Sequence, residues 1–181
     1  RPMAISPQLV RASRIMAWLS LTGAVLAPAV TALCFIWPAV TIGLDIRFSH
    51  IDAASMASVP MGDRLLALVF ALIPALIATW GLVALARLFQ AFTQGEIFSL
   101  PALRALSTIT SALFWNVVAA FVTQAPVTFL LSMHNGPGHR YISLGFGSDD
   151  VEMLFLAGVA FVIARVMAEA RRVAEENAGF V

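Results

Sequence analysis

Three histidines, His50, His134 and His139, and the acidic pair Asp149 and Asp150 are the residues whose types suit metal binding or proton transfer. A zinc site needs three or four ligands at tight, recurring spacings. These five match no such motif, so solvated loop residues are the plainer reading. The one cysteine, Cys34, lies inside an apolar run and cannot form a disulfide within the chain. The turn cluster Asn135-Gly136-Pro137-Gly138 lacks the Lys-Ser/Thr and helix start of a phosphate cradle. No Ser/His/Asp or Cys/His grouping offers an activated nucleophile with a base. The sequence therefore assigns no catalytic, cofactor-binding or metal-ligating residue, and the expectation is a protein that is not an enzyme.

The remaining polar candidates sit inside apolar stretches: Thr22, Thr31, Thr79, Asn116, Thr123, Gln124 and Thr128. No Asp, Glu, His or Arg lies deep in any of these stretches, whereas a proton-coupled transporter accepts the cost of an ionisable group there because its function needs one. Asn116 and Gln124 stand two helical turns apart on roughly one face. They read most simply as hydrogen-bonding links between helices, and otherwise as the lining of a path for a neutral solute. Pro28, Pro74 and Pro126 each remove a backbone hydrogen bond from a helix interior. Neighbouring helices commonly satisfy the freed carbonyl, so tolerance is the plainer reading and a functional kink the sharper one.

The elements that hold these residues follow from composition. With 60% hydrophobic and 12% charged residues among 181, and a mean hydropathy of +0.90, the chain cannot cover a water-soluble surface. Uncharged runs extend over Ile15 to Leu44, Leu65 to Ala86 and Ala105 to Met133, each meeting the ~20 residues a membrane-crossing helix requires. The first run is too long for a cleaved signal. A fourth run, Met153 to Ala164, spans only if Glu152 reaches one interface and Arg165 snorkels to the other. The expected fold is all-α, a single transmembrane domain of four helices at about 15–41, 65–88, 105–132 and 151–172, arranged as two antiparallel hairpins.

Arg1, Arg11, Arg14, Arg87, Arg104, Arg165, Arg171 and Arg172 fall on one side of this map, and Arg47, Arg64 and Arg140 on the other. The arginine-rich side is expected to be cytoplasmic. This places both termini and the central loop 89–104 inside, in a bacterial inner membrane. Trp18 and Trp37 bracket the first span as interfacial anchors. The two returning helices end alike, in Leu85-Ala86-Arg87-Leu88-Phe89 and Ile163-Ala164-Arg165-Val166-Met167. A duplicated hairpin and chance in an Ala/Leu-rich sequence both account for that echo. A net charge of +1 offers no basic surface for direct contact with nucleic acid.

The cytoplasmic face carries the most specific pattern. In Leu88-Phe89-Gln90-Ala91-Phe92-Thr93-Gln94-Gly95-Glu96-Ile97-Phe98-Ser99, Gly95 suits a left-handed cap that ends the second helix. Ser99 then suits an N-cap and Pro101 the first turn of the third helix. Phe89, Phe92, Ile97 and Phe98 are expected to dock this loop onto the bundle. After the fourth span, Arg165/Glu169, Arg171/Glu175 and Arg172/Glu176 are spaced i,i+4, so a charged helix is expected to continue to about Asn177.

These stretches resemble the bacterial membrane proteins catalogued as domain of unknown function 2975. Leu88, Phe89, Gly95, Glu96, Phe98, Leu103 and Arg104 meet that family's Leu-Phe, Gly-Glu-x-Phe and Leu-Arg string, and Glu175, Glu176 and Asn177, followed by Phe180 and Val181, meet its C-terminal pattern. Ala178-Gly179-Phe180-Val181 departs from the Leu-Thr-Val of many members. The resemblance implies a four-helix membrane protein without established biochemical activity. It also implies pairing with a small helix-turn-helix regulator. The partner-contact residues expected on that basis are Phe89, Phe92, Gly95, Glu96, Phe98, Arg104, Glu175, Glu176 and Asn177. Two other roles stay open: an accessory subunit of a respiratory or photosynthetic complex, and an oligomeric transporter or channel for a small solute. The expected partners are the lipid bilayer and one protein, with no small-molecule substrate identified.

Overall fold

The computed structural model describes residues 7–39, 58–95, 99–133, 140 and 142–178, the last five of these by their backbone alone. Four helices account for nearly all of them: α1 Pro7–Ile36, α2 Met61–Thr93, α3 Leu100–Ser132 and α4 Ser148–Ala178. All four are long and apolar enough to cross a membrane, as the uncharged runs require, and the protein is a multi-pass membrane protein. Each helix packs on the next in sequence, giving two antiparallel hairpins joined through the α2–α3 contact, and α4 leans on α3.

α2, α3 and α4 are longer than their uncharged runs, because charge marks where hydrocarbon ends and not where backbone hydrogen bonding stops. α1 begins at Pro7, whose missing N–H costs nothing in a first turn. Its regular run pauses after Ile36, because Pro38 disfavours helical backbone in the residue before it, and Pro38 and Ala39 are helical again; the expected end near residue 41 lies outside the described residues. Trp37 still closes the last turn through a bond from its N–H to the Leu33 carbonyl, 2.8 Å.

The helix interfaces are built from small side chains. Ser13, Ala17, Ser20, Ala24 and Thr31 of α1, Ala67, Ala84, Ala86 and Ala91 of α2, and Ala102, Ala105 and Ala112 of α3 are all buried. Lipid is as apolar as leucine, so helices in a membrane gain by close backbone approach and not by hiding bulk, which is why small residues collect there. Among the described glycines Gly81 is the most closely approached, an added Cβ there lying 2.8 Å from that of Ala112. At the two ends of the bundle these small residues pack together with larger ones. Phe35, Val59, Ala67, Leu68, Val127 and Leu131 join α1, α2 and α3 at one end. Leu88, Ala91, Ala102 and Ala105 join α2 to α3 at the other, arginine-rich end.

Contacts between helices fix their register. Thr79 meets Ala24, Asn116 meets Pro74, and Ala164 and Ala168 share a groove with Leu103 and Ser107. Counting along the antiparallel helices from these points puts Trp18, Arg87, Arg104 and Arg165 near one level and Trp37, Ala67, Gln124 and Ser148 near another. The two levels are about 25–30 Å apart at ~1.5 Å per residue. That separation matches a hydrocarbon core of about 30 Å bounded by aromatic and basic anchors.

Candidate functional site

The polar side chains inside the spans are committed to holding the backbone together. Pro28 has no N–H, so the Ala24 carbonyl four residues earlier loses its intrahelical donor. The Thr79 hydroxyl of α2 donates to that same carbonyl at 3.0 Å, and to Ala75 of its own helix at 3.0 Å. A neighbouring helix therefore satisfies the group the proline freed, and the tolerant reading of Pro28 holds. Asn116 donates from Nδ2 to the Pro74 carbonyl at 2.7 Å, tying α3 to α2 one turn from the Gly81–Ala112 contact.

Gln124 serves a different neighbour. Residues 142–147 run extended alongside the last turns of α3. The Gly145 N–H donates to Gln124 Oε1 at 2.9 Å, and the Ser143 N–H donates to Thr128 Oγ1 at 3.0 Å. Gly147 completes the series by donating to Asp150 Oδ2 at 2.8 Å, an acidic side chain in the first turn of α4 reaching back to the residue before the helix. Alternate amides thus face the protein while Ile142, Leu144 and Phe146 point outward. Phe146 meets the edge of the Phe121 ring at 6.1 Å between centroids. The outermost turns of α3 are covered by this strap and not by α4, which starts about two turns below the end of α3. Asp150 is accounted for as a cap, and among the described residues no group of three His, Cys, Asp or Glu side chains converges to hold a metal. The three histidines lie outside the described residues.

At the arginine-rich end the local signals act as expected. α2 ends through Gln94, and Gly95 follows with φ 82°, the left-handed backbone that glycine adopts without a Cβ clash. The Gln94 and Gly95 N–H groups donate to Ala91 and Phe92 at 3.1 and 3.2 Å. Ser99 caps α3, its Oγ accepting from the Ala102 N–H at 3.3 Å, with Pro101 in the first turn. Phe92 packs on the Leu88–Ala105 cluster and takes the edge of Phe89, rings 6.2 Å apart. Arg87 and Arg104 are exposed at this end. α4 runs on to Ala178, past the start of α3, and carries Glu169 and Arg172 as an exposed i,i+3 ion pair in place of the i,i+4 pairing of Arg165 with Glu169. Arg165 instead turns its guanidinium over the Phe161 ring, 5.2 Å from the centroid and one turn back toward the bundle centre. It does not snorkel outward.

The family model described as protein of unknown function DUF2975 matches residues 8–179. The chain belongs to the DUF2975 family. No curated protein and no solved structure matches it.

In this DUF2975 chain the expected contact residues separate by position. Phe92 is half-buried in packing, Phe89 lies on its edge, Gly95 shapes the turn, and Arg104 is exposed one turn into α3. Glu175, Glu176 and Asn177 lie on the helical continuation of α4, whereas Glu96 and Phe98 fall outside the described residues. Sequence reasoning missed Thr79 as the complement of Pro28, Gly81 as a point of close approach between α2 and α3, and the strap. The strap had a signal: Ile142-Ser143-Leu144-Gly145-Phe146-Gly147 alternates strictly between large apolar and small residues, the period of an extended chain.

Proposed function

We propose that this DUF2975 protein is a non-enzymatic membrane protein that works by protein–protein contact at its arginine-rich end. That end faces the cytoplasm by the arginine distribution, and the partner is a small helix-turn-helix regulator held at or released from the membrane. The observation that carries this reading is the contrast between the two regions of the bundle. Within the span, Thr79, Asn116, Gln124 and Thr128 are bonded to backbone groups, leaving a solute path without its polar lining. At the arginine-rich end, Arg87 and Arg104 stand exposed beside the α2–α3 turn, and α4 projects a charged helix past its neighbours. A regulator docked there reads DNA with its own residues, since this chain has no basic surface for the purpose.

A second reading, an accessory subunit of a larger membrane complex, draws on α4. Within its span only Ala157 is buried, and Phe155, Leu156, Val162, Ile163 and Val166 all face outward. Lipid covers such a face as readily as another subunit does, so it ranks second.

The test is purification of the full chain with a C-terminal tag from native membranes in mild detergent, followed by mass spectrometry of stoichiometric companions. A small helix-turn-helix protein that is lost when Gly95, Glu96 and Phe98 are replaced together is the expected result. Subunits of an energy-converting complex favour the second reading. A helix-turn-helix companion retained by the triple variant removes the loop from the contact.

A further inference from the structure

We propose that the groove between α3 and α4 at the arginine-rich end binds the headgroup phosphate of an anionic membrane lipid, with Arg165 as the cation that selects it. This stands independently of any protein partner. The groove measures about 310 Å³ and exists because both helices carry small residues one turn apart, Ser107 and Ser111 on α3 and Ala164 and Ala168 on α4. Arg165 lies on its wall, with its guanidinium drawn back over the Phe161 ring toward the membrane interior.

Among the described residues no carboxylate pairs with Arg165. Glu169, one turn on and at the right spacing, is engaged by Arg172 instead. A ring face compensates a cation only weakly, and inside the membrane boundary an arginine calls for an anion or water. Three hydroxyls flank the same space. Those of Thr110 and Ser111 donate to the Leu106 and Ser107 carbonyls at 3.1 and 3.0 Å. Such bonds to carbonyls one turn back are additions to the helix's own ladder, so rotation about χ1 frees each hydroxyl for a phosphate oxygen. Arg104 sits one turn toward the start of α3 on the same face, adding a second positive charge near the mouth.

A lipid suits this site better than a soluble phosphate. The groove is level with the basic boundary of the bundle, and on the membrane side its wall continues into Phe161, against which an acyl chain can lie. A phosphate from water would have to shed its hydration to reach a guanidinium drawn inside that boundary. A basic pocket between spans at this depth is the arrangement that retains acidic headgroups, each arginine being worth about 1 kcal/mol at the surface.

Native mass spectrometry of the full-length protein in detergent, titrated with phosphatidylglycerol or with phosphatidylcholine of identical chains, tests this directly. One phosphatidylglycerol per chain is expected, bound at least about fivefold more tightly than phosphatidylcholine. Arg165→Gln should abolish that preference, and Ala164→Leu, which fills the groove and leaves the charge, should reduce binding as much. Arg140→Gln, at the other end of the bundle, should leave both unchanged. Equal binding of the two lipids by the unaltered protein, or a preference that survives Arg165→Gln, overturns the proposal. Displacement by excess inorganic phosphate would also overturn it, assigning the site to a soluble anion.

Discussion

Replacing Gly81 by alanine isolates the force that sets the spacing of α2 and α3. Built on the present backbone, the new Cβ would stand 2.8 Å from Ala112 Cβ. Two carbons rest at about 3.5–4.0 Å, so the helices must part locally by about 1 Å, and neither carbon belongs to a flexible side chain that could yield. One turn away, the 2.7 Å bond from Asn116 to the Pro74 carbonyl would stretch past useful length. Overpacking of this kind costs about 1–3 kcal/mol, and the lost interhelical bond adds about 0.6 kcal/mol. Against this stands the gain of about 1 kcal/mol that alanine brings to a helix. The net expectation is a loss of roughly 0.5–2.5 kcal/mol.

Gly158→Ala supplies the control, because nothing lies within 4 Å of a Cβ at that site. It should be neutral or stabilising by up to ~1 kcal/mol. The assay is chemical unfolding of the purified full chain in detergent, followed by circular dichroism, with Gly81→Ala/Ala112→Gly as the compensating pair. The double variant should recover most of the loss. If Gly81→Ala proves as stable as Gly158→Ala, the close approach does not hold the helices and the reasoning fails.

Three further outcomes follow from named bonds. Thr79→Val should destabilise by about 0.6–1.7 kcal/mol in the unaltered protein, and by clearly less in a Pro28→Ala background, where Ala24 regains an intrahelical donor; a double-mutant cycle without coupling contradicts the pairing. Gln124→Leu combined with Thr128→Val should release the strap, seen as faster hydrogen exchange at the Ser143 and Gly145 amides with α2 protection unchanged. Gly95→Ala, forced into left-handed backbone at φ 82°, should cost about 1–2 kcal/mol in the same unfolding assay, whereas Gly95→Asn should recover part of that loss.

The four spans and the α2–α3 turn were legible because their signals are local. Runs without charge mark hydrocarbon, Gly95 supplies the only backbone geometry that closes α2 this way, and Ser99 with Pro101 opens α3. Tertiary pairings were not. Nothing in the apolar run around Ala24 announces that Thr79, 55 residues on, will serve its carbonyl. Asn116 and Gln124 share a helix face in the sequence, yet one is bonded to α2 and the other to the strap, because α4 begins only at the level of Gln124 and the strap covers the turns of α3 beyond it. The same low start explains the fourth helix. The shortness of its uncharged run was visible, whereas the extended segment that covers the outermost turns of α3 required reading a two-residue period inside what looked like a loop. Arg165 follows from side-chain direction: helical side chains lean toward the helix start, and here that leads to Phe161 and away from water.

The account depends most on which side of the membrane the arginine-rich end faces. Single cysteines placed by Gln94→Cys or by Arg140→Cys in a Cys34→Ser background can be probed with a membrane-impermeant maleimide on intact spheroplasts. The account predicts labelling at position 140 in intact spheroplasts and at position 94 only after permeabilisation; the reverse pattern would put the α2–α3 turn outside and contradict it.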